Sequence, residues 1–209
     1  MSGTLAVTGN STFSGEIITS TSGTSNVRIG ENAGDAIQSG GNNNVVIGDE
    51  AGTAITTGTS NVAVGKSALA ANTTASHNTA VGFEAMEANT TGTQCTAVGR
   101  KALEAHTEGS NNTAIGFNAG QVMTTSVSNT LLGAGAGKSI TTGNGENVII
   151  GNNCGVAIST GQQNVLIGDN VMANATAGAY NLNTIIGDNA GLVNTGSNNT
   201  ALGGSALTA

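Results

Sequence analysis

Aliphatic–glycine dipeptides recur along nearly the whole chain and set the register of everything between them. Their glycines are Gly30, Gly48, Gly65, Gly82, Gly99, Gly116, Gly133, Gly151, Gly168, Gly187 and Gly203, spaced by 18, 17, 17, 17, 17, 17, 18, 17, 19 and 16 residues. A fixed period of this length predicts stacked coils, each burying its apolar face against the next. The residue before each glycine is aliphatic, from Ile29 to Leu202, and three before it stands Val or Thr, from Val27 to Thr200. Side chains two apart share one face of a strand, and β-branched residues suit that setting. The pattern therefore predicts an all-β protein, a parallel β-solenoid of about eleven 17-residue coils over residues 26–209, with residues 1–25 as a connector.

Four before the glycine, Asn stands in ten of the eleven coils, and Cys95 replaces it in the other. Asn amides stacked at the ~4.8 Å strand spacing can hydrogen-bond to one another, and Asn also tolerates the turn that leads into a strand. Three after the glycine, Ala is replaced only by Cys154 and Val171, which predicts a tight inward corner. The next columns trade volume. Coils with Gly34, Gly52, Gly120, Gly137 and Gly155 carry Ile37, Ile55, Met123, Ile140 and Ile158 three residues later, whereas Leu69, Met86 and Leu103 are followed by Asn72, Asn89 and His106. Met172 with Ala175, and Gly191 with Val193, follow the same rule. Two positions that exchange bulk within a coil fill one space, because a packed interior resists both voids and excess. The insertions fall after a second turn glycine, as at Gly40, Gly143 and Gly178, which marks the permissive loop.

The middle strand residue, two before the glycine, runs Arg28, Val46, Ala63, Ala80, Ala97, Ala114, Leu131, Ile149, Leu166, Ile185 and Ala201. Both faces of each strand are thus apolar, and such strands are covered on both sides. Seventeen residues are too few to wrap both. The expectation is that each coil covers the aliphatic column itself and that other copies of the chain cover the middle column, because an exposed apolar strip roughly 50 Å long is what soluble monomers avoid.

Composition narrows the partners. Five Lys and Arg against twelve Asp and Glu give a net charge of -7, with no basic patch to neutralise phosphates, so neither nucleic acid nor an anionic membrane surface is expected as a partner. The opening MSGTLAVTGNSTF has no basic or apolar leader region, and no stretch approaches the ~18 apolar residues of a spanning helix, so neither a signal peptide nor membrane insertion is expected.

Units such as NTAVGFEAMEANTTG (Asn78 to Gly92) and NTAIGFNAG (Asn112 to Gly120) resemble the head repeats of trimeric autotransporter adhesins and the similar repeats of phage tail fibres. The resemblance covers residues 26–209 and implies a left-handed parallel β-roll with three chains around a common axis. The opening LAVTGNSTFSGEI (Leu5 to Ile17) looks like connector sequence of phage fibres. Adhesin heads of the best-known kind have shorter repeats and would add a leader and a membrane anchor, which favours the fibre. The expected function is a structural fibre, the shaft or head of a phage tail fibre or similar appendage, in the virion or outside the cell. It would mediate or support attachment to a host surface. Expected partners are itself as a homotrimer, other fibre or virion proteins, and a host glycan or protein. A bacterial surface adhesin head is the alternative.

No catalytic, cofactor-binding or metal-ligating residue is expected, and the protein is read as a non-enzyme. Cys95 and Cys154 lie in different columns three coils apart, beyond the ~7 Å reach of a disulfide, and are expected as free thiols. The alternative of another class is a β-helix carbohydrate-active or acyltransferase enzyme, which would need a cleft with clustered carboxylates or a His, and no coil is expected to gather them. A hexapeptide-repeat acyltransferase would further need a catalytic His and a six-residue period. The segment IGENAG (Ile29 to Gly34) fits one hexapeptide, but Asp35 and Gly41 break the next, leaving His77 and His106 without that role. Glu31, Asp49, Asp169 and Asp188, just after the marker glycines, lack the glycine-rich aspartate nonapeptide of calcium-binding solenoids. Lys66, Phe83, Arg100 and Phe117 share that column, which reads as a variable solvent-facing turn with scattered surface apolars. Thr-rich loops such as 72–74 and 89–91 suggest an ice-binding array, but Ile37, Ile55 and Ile140 interrupt it. Substitutions at Thr90 or Thr91 are expected to be nearly silent.

Overall fold

Each marker glycine follows a three-residue strand: β1 Val27–Ile29, β2 Val45–Ile47, β3 Val62–Val64, β4 Thr79–Val81, β5 Thr96–Val98, β6 Thr113–Ile115, β7 Thr130–Leu132, β8 Val148–Ile150, β9 Val165–Ile167, β10 Thr184–Ile186 and β11 Thr200–Leu202. In this computed structural model, which describes residues 22–143, 145–174, 178–193 and 196–208, the strands pair in parallel and in chain order. The register puts like on like, as in Ala80↔Ala97 and Val81↔Val98. Among the described residues there is no helix, and the architecture is the expected parallel β-solenoid. At the strand spacing its eleven strands span about 48 Å. The connector motif at residues 5–17, and Ala175, lie outside the described residues.

The short strands need sharp closures, and these come from backbone positions that repeat in every coil. The residue before the Asn column, Ser25 through Asn198, has φ between 57 and 63, and the second residue after the marker glycine, Asn32 through Ser205, has φ between 47 and 68. The fourth residue after the glycine is also left-handed, whether it is Gly34 (φ 58) or Leu69 (φ 52). A left-handed Leu costs roughly 1–2 kcal/mol, while full burial of its side chain contributes about 1.5–3 kcal/mol, so burial offsets the strain. Leu69, Met86, Leu103 and Met172 are indeed fully buried.

The marker glycines have φ between 120 and 141, which L side chains avoid. They also stack in direct backbone contact: a Cβ on Gly99 would lie 2.5 Å from the carbonyl oxygen of Gly116. Conformation and crowding thus both demand glycine here.

The interior corrects the expected faces. The middle strand residues, not the aliphatic column, point into the coil: Val46, Ala63, Ala80, Ala97, Ala114, Leu131, Ile149, Leu166 and Ile185 are all 0% exposed. The aliphatic and Val/Thr columns point outward and stay partly exposed, with Ile29 at 57%, Ile115 at 39% and Leu132 at 44%. The reason is volume. A Cβ on Gly52 would lie 2.7 Å from both Ile55 and Val46, and one on Gly137 would lie 2.9 Å from both Ile140 and Leu131, so the middle strand residue joins the two trading columns in one space. Ala63, Ala80 and Ala97 accompany the bulky Leu69, Met86 and Leu103. Ala114 accompanies Gly120, and there Leu103 and Leu131 of the adjoining coils fill in, each within 2.9 Å of the position a Gly120 Cβ would take. The Ala column lies inside as expected, from Ala33 to Ala190, with Cys154 and Val171 in its file.

The Asn column forms the expected ladder. Asn44 Nδ2 donates to Asn26 Oδ1 at 3.1 Å, and its backbone N–H donates to the same oxygen at 2.8 Å. The amide also donates to the Gly58 carbonyl at 2.9 Å, across the coil in the permissive loop. One side chain thereby ties strand, loop and neighbouring coil together, and burial is compatible with its polarity because its groups are bonded.

Replacing Gly99 by Ala is expected to lower stability by at least ~2–3 kcal/mol, from backbone strain and the steric conflict together. Ala at the exposed Thr91 is expected to stay within about 0.5 kcal/mol. Thermal melting compares the two, and equal melting temperatures would rule out the close glycine contact.

Candidate functional site

The polar ladder has one interruption, and the structure repairs it. Cys95 accepts its place in the file, its N–H donating to Asn78 Oδ1 at 3.0 Å and its Sγ lying 3.5 Å from the Gly109 carbonyl, the contact an Asn amide makes elsewhere. A thiol offers little as an acceptor to the Asn of the next coil. Asn112 Nδ2 instead lies 3.2 Å from His106 Nε2 while donating to the Ser126 carbonyl at 2.8 Å. His106 Nδ1 lies 3.1 Å from Asn89 Oδ1, and Asn89 Nδ2 donates to Asn72 Oδ1 at 3.1 Å. These partners assign a neutral ring with the proton on Nδ1 and Nε2 as acceptor.

Asn72, Asn89 and His106 are therefore a second buried ladder, each 0% exposed, that joins the main one where Cys95 weakens it. The trading-column rule revealed their smaller apolar bulk but not this role. Once Leu69, Met86 and Leu103 fill the apolar space, the following column meets the Asn ladder and must be polar. Burial lowers the His106 pKa to about 4. His77 is exposed, at the left-handed position before Asn78 (φ 63). Cys95 and Cys154 are free, as expected, and both are buried. Burial raises both thiols, Cys154 to about 12.

On the outside, the column after the marker glycine is a ridge of stacked side chains. Lys66 Nζ lies 2.8 Å from Asp49. In the next three coils Arg100 packs between Phe83 and Phe117, its guanidinium carbon 5.6 and 5.5 Å from the two ring centroids, within cation–π range. The expected scattered apolars are thus one stack, and their shared column in consecutive repeats was the signal for it. Beyond Phe117 the ridge drops to Ala134 and Gly135. This step leaves a notch of about 250 Å³, also lined by Asn118, Lys138, Asn152 and Asn153.

Asp169 and Asp188 accept from Asn170 and Asn189, both at 2.9 Å. A separate acidic group, Glu84, Glu87 and Glu104, gathers within 4.8 Å, and Lys101 offsets part of its charge. Lys101 Nζ lies 2.8 Å from Glu84 and also pairs with Glu104, which accepts from Gln121 at 2.7 Å. Burial, followed by the charges of Glu84 and Glu104, raises the Glu87 pKa. The Thr loops form axial hydroxyl files: Thr90 donates to the Thr107 carbonyl at 3.1 Å and Thr107 to that of Thr124 at 3.2 Å, so Thr90 belongs to the scaffold while Thr91 is exposed.

A buried neutral His makes stability depend on pH with a definite sign. Its folded pKa of about 4 lies below the unfolded value near 6.5, so the unfolded chain binds more protons between them. Stability is full above about pH 6.5, falls toward pH 4 and levels off below. Its amplitude is on the order of 3 kcal/mol per chain. In His106→Asn this component is expected to vanish from the difference between wild-type and variant melting curves. An unchanged pH profile in the variant would refute the buried neutral imidazole.

Comparison with known proteins finds no matching family model, no matching curated protein and no matching solved structure.

Proposed function

We propose that the protein is a structural fibre segment, the shaft or head of a tail fibre or similar appendage. Several copies of the solenoid lie side by side and hold a host-contacting surface away from the particle. One observation carries this reading. The outward face of the eleven-stranded sheet is a continuous file of aliphatic residues, from Ile29 to Leu202, flanked by the Val/Thr column and left partly exposed. Half a Val or Ile side chain removed from water contributes about 1 kcal/mol, so eleven contribute on the order of 10 kcal/mol per chain. That is comparable to the ~4–15 kcal/mol cost of association, and the Val/Thr column adds to it.

The rest of the construction suits a load-bearing spacer. Hydrogen bonds run along the axis through two ladders and the hydroxyl files, and no coil depends on a distant part of the chain. His106 is sealed within a ladder, which supports a non-catalytic role. Three copies, placed in a virion or outside the cell, is the number and setting that the repeat resemblance suggests.

Light scattering on the intact chain is expected to give the mass of three copies. Val81→Asp and Ile115→Asp, both on the outward face, are expected to yield smaller particles, whereas Thr91→Ala keeps the wild-type mass. A well-folded wild-type monomer would remove the side-by-side fibre.

A further inference from the structure

We propose that the notch beside Phe117 binds an acidic saccharide, a sugar unit bearing a carboxylate. The proposal deepens the attachment reading and rests on it for its biological meaning. Arg100 occupies one side of the Phe117 ring, in the preceding coil, while Ala134 and Gly135 of the following coil leave the notch on the other. Phe117 is 50% exposed. An aromatic ring open on one side and held from the other suits the apolar face of a pyranose ring.

The polar lining fits the remainder of such a ligand. In a protein whose buried Asn side chains are committed to ladders, the amides of Asn118, Asn152 and Asn153 make no hydrogen bond to the described residues. Asn118 Oδ1 is buried without a partner among the described residues, so the amides open to a ligand are those of the exposed Asn152 and the part-exposed Asn153. Uncommitted amides supply the donors and acceptors that hydroxyl groups need.

Charge selects an acidic sugar over a neutral one. No carboxylate lines the notch, and the Lys138 ammonium forms no ion pair among the described residues. The chain carries -7 overall, yet of the ridge carboxylates Glu31, Asp49 and Asp188 stand toward its two ends, and only Asp169, two coils beyond Ala134, comes near the notch. Arg100, two coil spacings or roughly 10 Å from the notch floor on the other side, offsets Asp169, so the Lys138 ammonium is the selecting charge. A bare phosphate would use the ammonium and leave the aromatic face idle, whereas a carboxylate-bearing sugar uses both.

The test displays the intact chain to an array in which each uronate- or sialate-bearing oligosaccharide sits beside its carboxyl-reduced counterpart. At least one acidic member is expected to be retained, with its reduced form at least tenfold weaker. Lys138→Glu reverses the selecting charge, and Ala134→Phe fills the notch with a side chain this ridge already carries at Phe83 and Phe117. Each is expected to weaken binding at least tenfold with circular dichroism unchanged. Retention of no acidic glycan, equal retention of reduced forms, or unaltered binding by both variants overturns the proposal. Particle mass measured on the same samples separates the two readings. An assembled fibre that ignores acidic glycans refutes the notch alone, and a monomer that binds them refutes the fibre alone.

Discussion

Stacking in exact register is the constraint on which this structure depends, and it is enforced where backbone meets backbone. Each marker glycine sits so close to the carbonyl of the next that a methyl group cannot enter: the Gly116 Cβ position is 2.3 Å from the Gly133 oxygen. The period of 16 to 19 residues follows from it, since insertions must be absorbed elsewhere in the coil. They are absorbed in the permissive loop, while strand, glycine and inward corner keep their places.

Register in turn makes each column a physical object. Identical amides become a hydrogen-bonded ladder, hydroxyls become axial files, and unlike side chains become neighbours of fixed order. Arg100 stacks with Phe83 and Phe117 because they are separated by one period in either direction. The same logic makes departures informative. Cys95 would leave Asn112 short of a partner, and His106 reaches across from the other ladder to supply it. The notch is a departure of the same kind, an Ala and a Gly where the ridge otherwise has reach.

The ledger of strain is consistent with this. Every coil holds left-handed residues, many of them not glycine, such as Glu50, Lys101 and Gln163. Isolated turns would select Gly or Asn there, but a turn clamped between two copies of itself tolerates other types because the hydrogen bonds on both sides define its backbone. Glu50 N–H donates to the Glu31 carbonyl at 2.9 Å, and Lys101 N–H to that of Phe83 at 2.9 Å.

The sequence by itself determined the period, the eleven strands, the glycine marks, the Asn ladder and the inward Ala corner, because each depends on contacts between equivalent residues that recur in every repeat. It did not determine which strand face looks inward. Both faces are apolar, and the deciding fact, that Val46 and Leu131 share space with Ile55 and Ile140, is a contact across the coil. Nor were the left-handed columns legible, since Ser, His, Gln and Leu all occupy them. The second ladder, the Phe–Arg–Phe stack and the notch likewise belong to tertiary structure. Each arises from the side chains of particular successive coils, and a repeat averaged over the chain does not contain it.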